Sequence, residues 1–191
     1  MAEPEAPANP VADPAPLGLA AFALTTFLLS AKNANISGIG DAWLGYGLAY
    51  GGLVQLLAGL NEFRNRNVFG ATAFSSYGGF WIGLWAYVVF VGKAGAAHDV
   101  GWILLAFAIF NTYMLIASTR VNMAVFMVFL TLEITEIVLF IGNFANSTNI
   151  TKIGGYIGFL TAITAWYASA AGVGRSVGIN MPVGRPMGSG S

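Results

Sequence analysis

The stretch FLTLEITEIVLFIGN, residues 129–143, sets two carboxylates in a run that is otherwise almost wholly apolar. Glu133 and Glu136 lie three positions apart, the spacing that puts two side chains on one helix face. Leu132 is four residues before Glu136 and shares that face, and Asn143 continues the stripe two turns on. Carboxylates turned toward hydrocarbon are untenable, so this pair must face protein or water. The plainer reading satisfies them with hydrogen-bond donors from a neighbouring helix or at the membrane interface, since no Lys or Arg lies mid-span to form an ion pair. The functional reading is a protonatable site beside a pathway, because desolvation and mutual repulsion both favour the uncharged form. Other apolar runs hold fewer polar candidates: Thr25 and Thr26 on a face with Phe22, Gln55, the group Ser75, Ser76 and Tyr77, then Asn111 and Thr112.

These residue types point to recognition and passage rather than bond-breaking. There is no H-E-x-x-H, no G-x-S-x-G and no phosphate-cradling G-x-x-x-x-G-K-[ST]. The chain has no cysteine and one histidine, His98, in a predicted loop, so no metal site or disulfide framework is expected. Nothing calls for a cofactor, an enzyme or a nucleic-acid partner.

The elements that must position these residues are membrane helices. The 191 residues are 57% hydrophobic and 8% charged, against about a quarter charged in soluble domains. Six apolar runs stand out at 16–31, 42–60, 71–92, 100–118, 121–142 and 153–173. Five approach the roughly 20 residues a helix needs to cross a bilayer, and the first is shorter. The runs lack the alternation of a membrane barrel. The expectation is an all-α membrane protein of six transmembrane helices, with an acidic, proline-rich segment at 1–15, the helical domain at 16–174 and a flexible tail at 175–191. Residues 1–15 have no basic n-region and do not read as a secretory signal.

With six spans, Arg64, Arg66, Arg120, Arg175 and Arg185 share the side of both termini, against Lys32, Lys93 and Lys152 opposite. That imbalance places both termini in the cytoplasm of a multi-pass protein of the cell membrane. Gly47 and Gly51, Gly79 and Gly83, and Gly154 and Gly158 are each four apart, a spacing that lets helix backbones approach closely. Such faces serve packing within the bundle or contacts between subunits.

Three longer stretches carry a family resemblance. DPAPLGLAAFALTT, residues 13–26, resembles the N-P-A-P-L-G-L entry motif of the acetate uptake transporter family, which includes bacterial acetate/succinate channels and fungal ammonia/acetate export proteins. YGGLVQLLAGLNEFRNRNVFGATAFSSYGGFW, residues 50–81, and LFIGNF, residues 139–144, are similar to further signatures of that family. The resemblance implies a homo-hexamer with one pore per protomer, passing acetate and related small carboxylates such as succinate by a channel-like or proton-coupled route. It also implies a constriction of a phenylalanine, a tyrosine and a leucine. These fall on Phe22, six positions after the proline of PLGL, on Tyr77 of SSYG, and on Leu132, eleven positions before the asparagine of IGN.

The chain departs from the pattern at Asp13, where the family has asparagine, and at Glu133 and Glu136, in a region expected to be mostly apolar. A charged carboxylate beside the constriction would repel acetate, whereas a protonated one would not. Within the entry motif, Pro16 can start a helix at little cost because the first amides have no intrahelical partner. The amides of Leu17, Gly18 and Leu19 could then face an anion at the positive helix end. The plainer alternative is an ordinary proline-started helix capped by Asp13. On the resemblance, Pro16, Leu17, Gly18 and Leu19 form a carboxylate-binding vestibule. Thr25, Thr26, Gln55, Ser76 and Asn143 replace part of the substrate's hydration, and Glu133 or Glu136 senses protons. Two alternatives stay open: a channel for neutral solutes such as ammonia or urea, and a carboxylate sensor or scaffold that transports nothing.

Overall fold

Asparagine and serine set where three of the helices begin. Asn67 Oδ1 accepts from the Gly70 amide, Asn122 Oδ1 from Val125 and Ser147 Oγ from Ile150, each supplying a partner for an amide that a helix start leaves unpaired. The computed structural model describes residues 11–92 and 96–188, so residues 1–10, 93–95 (Lys93 among them) and 189–191 lie outside it. In chain order the elements are α1 (Ala15–Asn33), α2 (Trp43–Leu48), a π-helical stretch (Ala49–Val54), α3 (Gln55–Arg64), α4 (Val68–Ala86) with a second π-helical stretch (Tyr87–Val91), α5 (Ala96–Ser118), α6 (Met123–Phe144) and α7 (Thr148–Ser176). They make six helices long and apolar enough to cross a membrane, and no strand occurs among the described residues.

Two boundaries differ from the sequence reading. The first run, expected to be short, reaches 19 residues as α1, because Lys32 belongs to the helix and its ammonium lies 2.9 Å from Asp41 in the following loop. The second run is one span with an interior irregularity, α2 to α3, where π-helical turns replace α-helical ones. Gly51 and Gly52 fit that irregularity. A Cβ on Gly51 would come 2.6 Å from Thr25 Oγ1, and one on Gly52 would come 2.7 Å from the Gly47 carbonyl. Glu62, which falls between the apolar runs 42–60 and 71–92, lies within α3 and is fully buried. Its carboxylate accepts from Asn65 Nδ2 at 2.8 Å and sits over the first turn of α4, where a negative charge is favoured.

Large polar side chains are buried in the bundle while large apolar ones face outward. Gln55, Glu62 and Asn111 head the largest fully buried side chains, while Leu57, Phe63, Trp102, Ile109 and Tyr156 are exposed. That inverts the soluble pattern and suits hydrocarbon as solvent. Helix α1 packs on α7, α7 on α6, α6 on α5, and α3 on α4. Hydroxyls join α6 to α7: Thr131 meets Thr164 at 3.3 Å and Thr135 meets Thr161 at 3.0 Å. Interhelical bonds of this kind average about 0.6 kcal/mol in membranes. Gly154 and Gly158 admit Leu139 of α6 and Ser30 of α1, so that pair packs the protomer, whereas Gly79 and Gly83 open onto empty space.

The segment after α7, expected as a flexible tail, runs back along the bundle. The Val183 carbonyl accepts from the Ala124 amide at 2.9 Å, the Met187 amide donates to Thr119 at 2.7 Å, and Tyr167 donates to the Pro182 carbonyl at 2.6 Å. These contacts satisfy backbone groups that a free strand would leave to water.

Candidate functional site

Three cavities follow one another through the bundle. A cavity of about 240 Å³, called the entry cavity after the entry motif it borders, lies at the start of α1 and the end of α7, and its lining includes Asp13, Asn67, Asn122 and Arg175. It shares Leu19 and Asn67 with a second cavity of about 80 Å³ between α1, α3, α4 and α6, called outer because it is the nearer to the chain termini. An inner cavity of about 40 Å³ lies beyond it, with Thr26, Ser30, Thr135 and Glu136 in its wall. Phe22, Tyr77 and Leu132 are the residues that line both the outer and the inner cavity. The Phe22 and Tyr77 rings meet edge to face, 5.7 Å between centroids, and Tyr77 also contacts the rings of Phe80, Phe107 and Phe110. A ring with four aromatic neighbours has little freedom to leave its place.

The Tyr77 hydroxyl is held by a polar cluster drawn from α4, α5 and α6. It lies 3.0 Å from Asn111 Oδ1 and 3.3 Å from Glu136 Oε1. Asn111 Nδ2 donates to the Phe129 carbonyl at 3.0 Å and to Glu133 Oε2 at 2.6 Å, and the other Glu133 oxygen accepts from Thr112 at 2.9 Å. The two carboxylates are therefore treated differently. Both oxygens of Glu133 have partners and its side chain is only half-buried, whereas Glu136 is 3% exposed and its Oε2 is unpartnered among the described residues. Thr26 Oγ1, in the wall of the same inner cavity, is likewise buried without a partner, as is Gln55 Oε1 in the outer one.

Other residues singled out by the sequence lie elsewhere. Thr25 lines none of the three cavities; its hydroxyl lies 3.0 Å from the Ala21 carbonyl and 3.4 Å from that of Tyr46, beside the π-helical stretch. Ser76 and Asn143 also lie outside them, and Asn143 donates to the Leu139 carbonyl within α6. At the entry motif, the helix begins one residue before Pro16, so the Gly18 amide already donates to the Pro14 carbonyl at 3.1 Å. Asp13 Oδ1 accepts from the Ala15 amide at 3.0 Å. The three-amide cradle of Leu17, Gly18 and Leu19 is thus not formed: Gly18 is used by the helix and Leu17 is 47% exposed. Pro16 and Leu19 line the entry cavity, and the Pro16 carbonyl accepts from Ser169 of α7 at 2.7 Å.

Two residues were passed over. Arg175 entered the sequence reading only as a charge that sets orientation, yet it is the cation in the entry-cavity lining. Asn111 was noted as polar but assigned no part, and it is the fully buried link between Tyr77 and Glu133. A lone amide in the apolar run 100–118 is the signal that could have raised it.

The model of the GPR1/FUN34/yaaH family matches residues 2–182. The chain is 42% identical over 179 residues to the Accumulation of dyads protein 2 of Saccharomyces cerevisiae, covering 88% of this chain but 63% of that protein, so it spans under two thirds of the yeast relative's length. It is 34% identical to the succinate-acetate/proton symporter SatP of Escherichia coli, over 91% of this chain and 96% of that one. Among solved structures, the bacterial acetate channel SatP superposes with a TM-score of 0.85 at 33% identity, covering 91% of this chain and 99% of that one.

Proposed function

The chain belongs to the GPR1/FUN34/yaaH family, and on that premise we propose that it carries acetate and related small carboxylates, succinate among them, across a cell membrane. The observation that carries this reading is the place of Phe22, Tyr77 and Leu132 as the residues shared by the outer and inner cavities. A solute moving between the two must pass that apolar ring, which sets the bore and excludes bulkier molecules. Arg175, with Asn67 and Asn122, gathers the anion in the entry cavity. Gln55 and Thr26 then stand in for lost water on either side of the ring. Glu136 is the proton-sensitive element, and its ionisation closes the inner cavity to carboxylates.

The names of the bacterial relatives support acetate as cargo, one of them with a proton. The arginine excess on the side of the termini supports both termini in the cytoplasm. Six protomers, each with its own pore, follow the resemblance, and the open faces at Gly79 and Gly83 are available for contact between them. Subunit mass in detergent tests the assembly, and a stable monomer would contradict it. Tyr77→Ala tests the ring: it should admit larger carboxylates, and unchanged selectivity would remove Tyr77 from the constriction.

A further inference from the structure

Donor counting in the polar cluster leads beyond a proton-sensitive carboxylate to its resting state and to the form of the cargo. The Phe129 carbonyl can only accept, so the Asn111 atom 3.0 Å from it must be the nitrogen, as the 2.6 Å contact to Glu133 also requires. Asn111 Oδ1 therefore faces Tyr77 and accepts the single phenolic proton at 3.0 Å. Glu136 Oε1, 3.3 Å from the same phenolic oxygen, is left facing lone pairs. If Glu136 were ionised, either this contact would lack a hydrogen or Asn111 Oδ1, fully buried, would lose its only donor among the described residues. A proton on Oε1, donated to Tyr77, supplies the hydrogen of that contact and leaves Asn111 Oδ1 its donor.

With Oε1 donating, Oε2 is the carbonyl oxygen of the acid and can only accept. It is buried without a partner in the wall of the inner cavity, as is Thr26 Oγ1, which both donates and accepts. One acceptor and one hydroxyl donor in the wall of the same cavity complement a neutral carboxylic acid, whose O–H would meet Oε2 and whose C=O would take the Thr26 proton. It does not suit a carboxylate, which has only acceptors to offer. No Lys, Arg or His stands among the described residues lining the outer or inner cavity, so an anion there has no countercharge. The inner cavity's size, about 40 Å³, suits a molecule of a few heavy atoms, since a water needs roughly 10–15 Å³ on this measure.

We propose that Glu136 rests protonated, held so by Tyr77 and Asn111, and with Thr26 forms a site in the inner cavity that takes the neutral acid form of a short monocarboxylate. The proton and the carboxylate then pass the site together as one uncharged molecule. This rests on the transport reading above and specifies the species carried. The titratable groups facing Glu136 are Tyr77 from α4 and Glu133 one turn back on α6. Thr26 and Ser30 of α1 and Thr135 of α6 share its cavity wall, Asn111 of α5 bonds the Tyr77 hydroxyl, and Thr161 of α7 bonds Thr135, all of them uncharged.

Infrared difference spectroscopy on the full chain in lipid tests the resting state without requiring flux. The wild type should show the carbonyl stretch of a protonated carboxylic acid at neutral pH. Glu136→Gln should remove that band and Glu133→Gln should leave it. Adding acetate should shift the band, more strongly at lower pH, and Thr26→Val should abolish the shift. Absence of a Glu136 band, or a band that acetate never moves, would overturn the proposal even if acetate flux is robust. Flux gives the second arm. The apparent KM in total acetate should rise about tenfold per pH unit, because the acid fraction falls by that factor above its ionisation. Acetamide, a neutral isostere with the same donor and acceptor, should compete with a strength independent of pH. A pH-independent acetate KM together with inert acetamide would assign the site to the anion.

Discussion

The two cavities on either side of the Phe22–Tyr77–Leu132 ring differ in chemistry although they share that ring. The outer one is walled by Leu19, Phe69, Phe74, Val125 and Phe129, with Gln55 and Asn67 as its polar members. The inner one, half the size, gathers Thr26, Ser30, Asn33, Thr135 and Glu136. The difference follows from which helices meet. On the outer side α1 faces aromatic and branched residues of α4 and α6. On the inner side it faces the hydroxyl-bearing stripe of α6, itself tied to α7 through Thr135 and Thr161. More hydrogen-bonding residues thus stand in the inner wall, beside Leu29, Phe80, Trp81, Leu104 and Leu139, and on the proposed route they are the partners that replace a solute's lost water.

The most drastic way to break the comparison is to remove its boundary. Tyr77→Ala merges the two cavities and deletes the hydroxyl between Asn111 and Glu136. Flux of carboxylates larger than acetate should rise about tenfold or more, as expected when a steric block worth a few kcal/mol is lifted, read as competition by bulkier acids. Asn111→Leu comes next and leaves the three residues of the boundary in place. It strips Tyr77 of its acceptor and Glu133 of a donor at 2.6 Å, and a buried group left unpaired costs about 1–3 kcal/mol. Thermal unfolding in detergent should shift downward by several degrees, while the bore for bulky acids stays closed.

Glu136→Gln sharpens the comparison. Flux near neutral pH should persist, and the decline in maximal rate at alkaline pH should disappear, because the amide cannot ionise. An identical alkaline decline in the variant would return Glu136 to a purely structural part. Gln55→Leu, on the outer side, should raise KM only about twofold to fivefold, in keeping with about 0.5–1 kcal/mol for one neutral hydrogen bond. Thr25→Val should be the mildest: it lines neither cavity, so transport should be unchanged and stability should fall by about 0.6 kcal/mol at most.

Much of the frame was legible in the sequence because hydrophobic length and glycine spacing are local signals. Six spans, and a Glu133–Glu136 pair on the fifth that must face protein or water, follow from composition and the helical repeat. The meeting of Phe22, Tyr77 and Leu132 came from resemblance, since no local rule says that residues 55 positions apart share a cavity wall. Pairing was not legible. Glu133 and Glu136 look alike in sequence, and only the packing of α5 against α6 gives one of them Asn111 and Thr112 and leaves the other an open oxygen. Thr25 and Thr26 are adjacent and equally polar, but a helix turns by about 100° between them, so one caps a neighbouring carbonyl and the other faces the cavity. The entry motif was misread by one residue, enough to move the first helical hydrogen bond onto Gly18 and shift the polar character of the entry to Arg175 and the asparagines.

The central claim, that small carboxylates cross through this ring, is tested most directly by radiolabelled acetate uptake into liposomes holding the purified protein, with and without an inward proton gradient. Protein-free vesicles supply the baseline, because acetic acid crosses bilayers unaided. The account predicts protein-dependent uptake above that baseline, accelerated by the gradient and reduced by acetamide. Uptake that never exceeds the protein-free vesicles would contradict it.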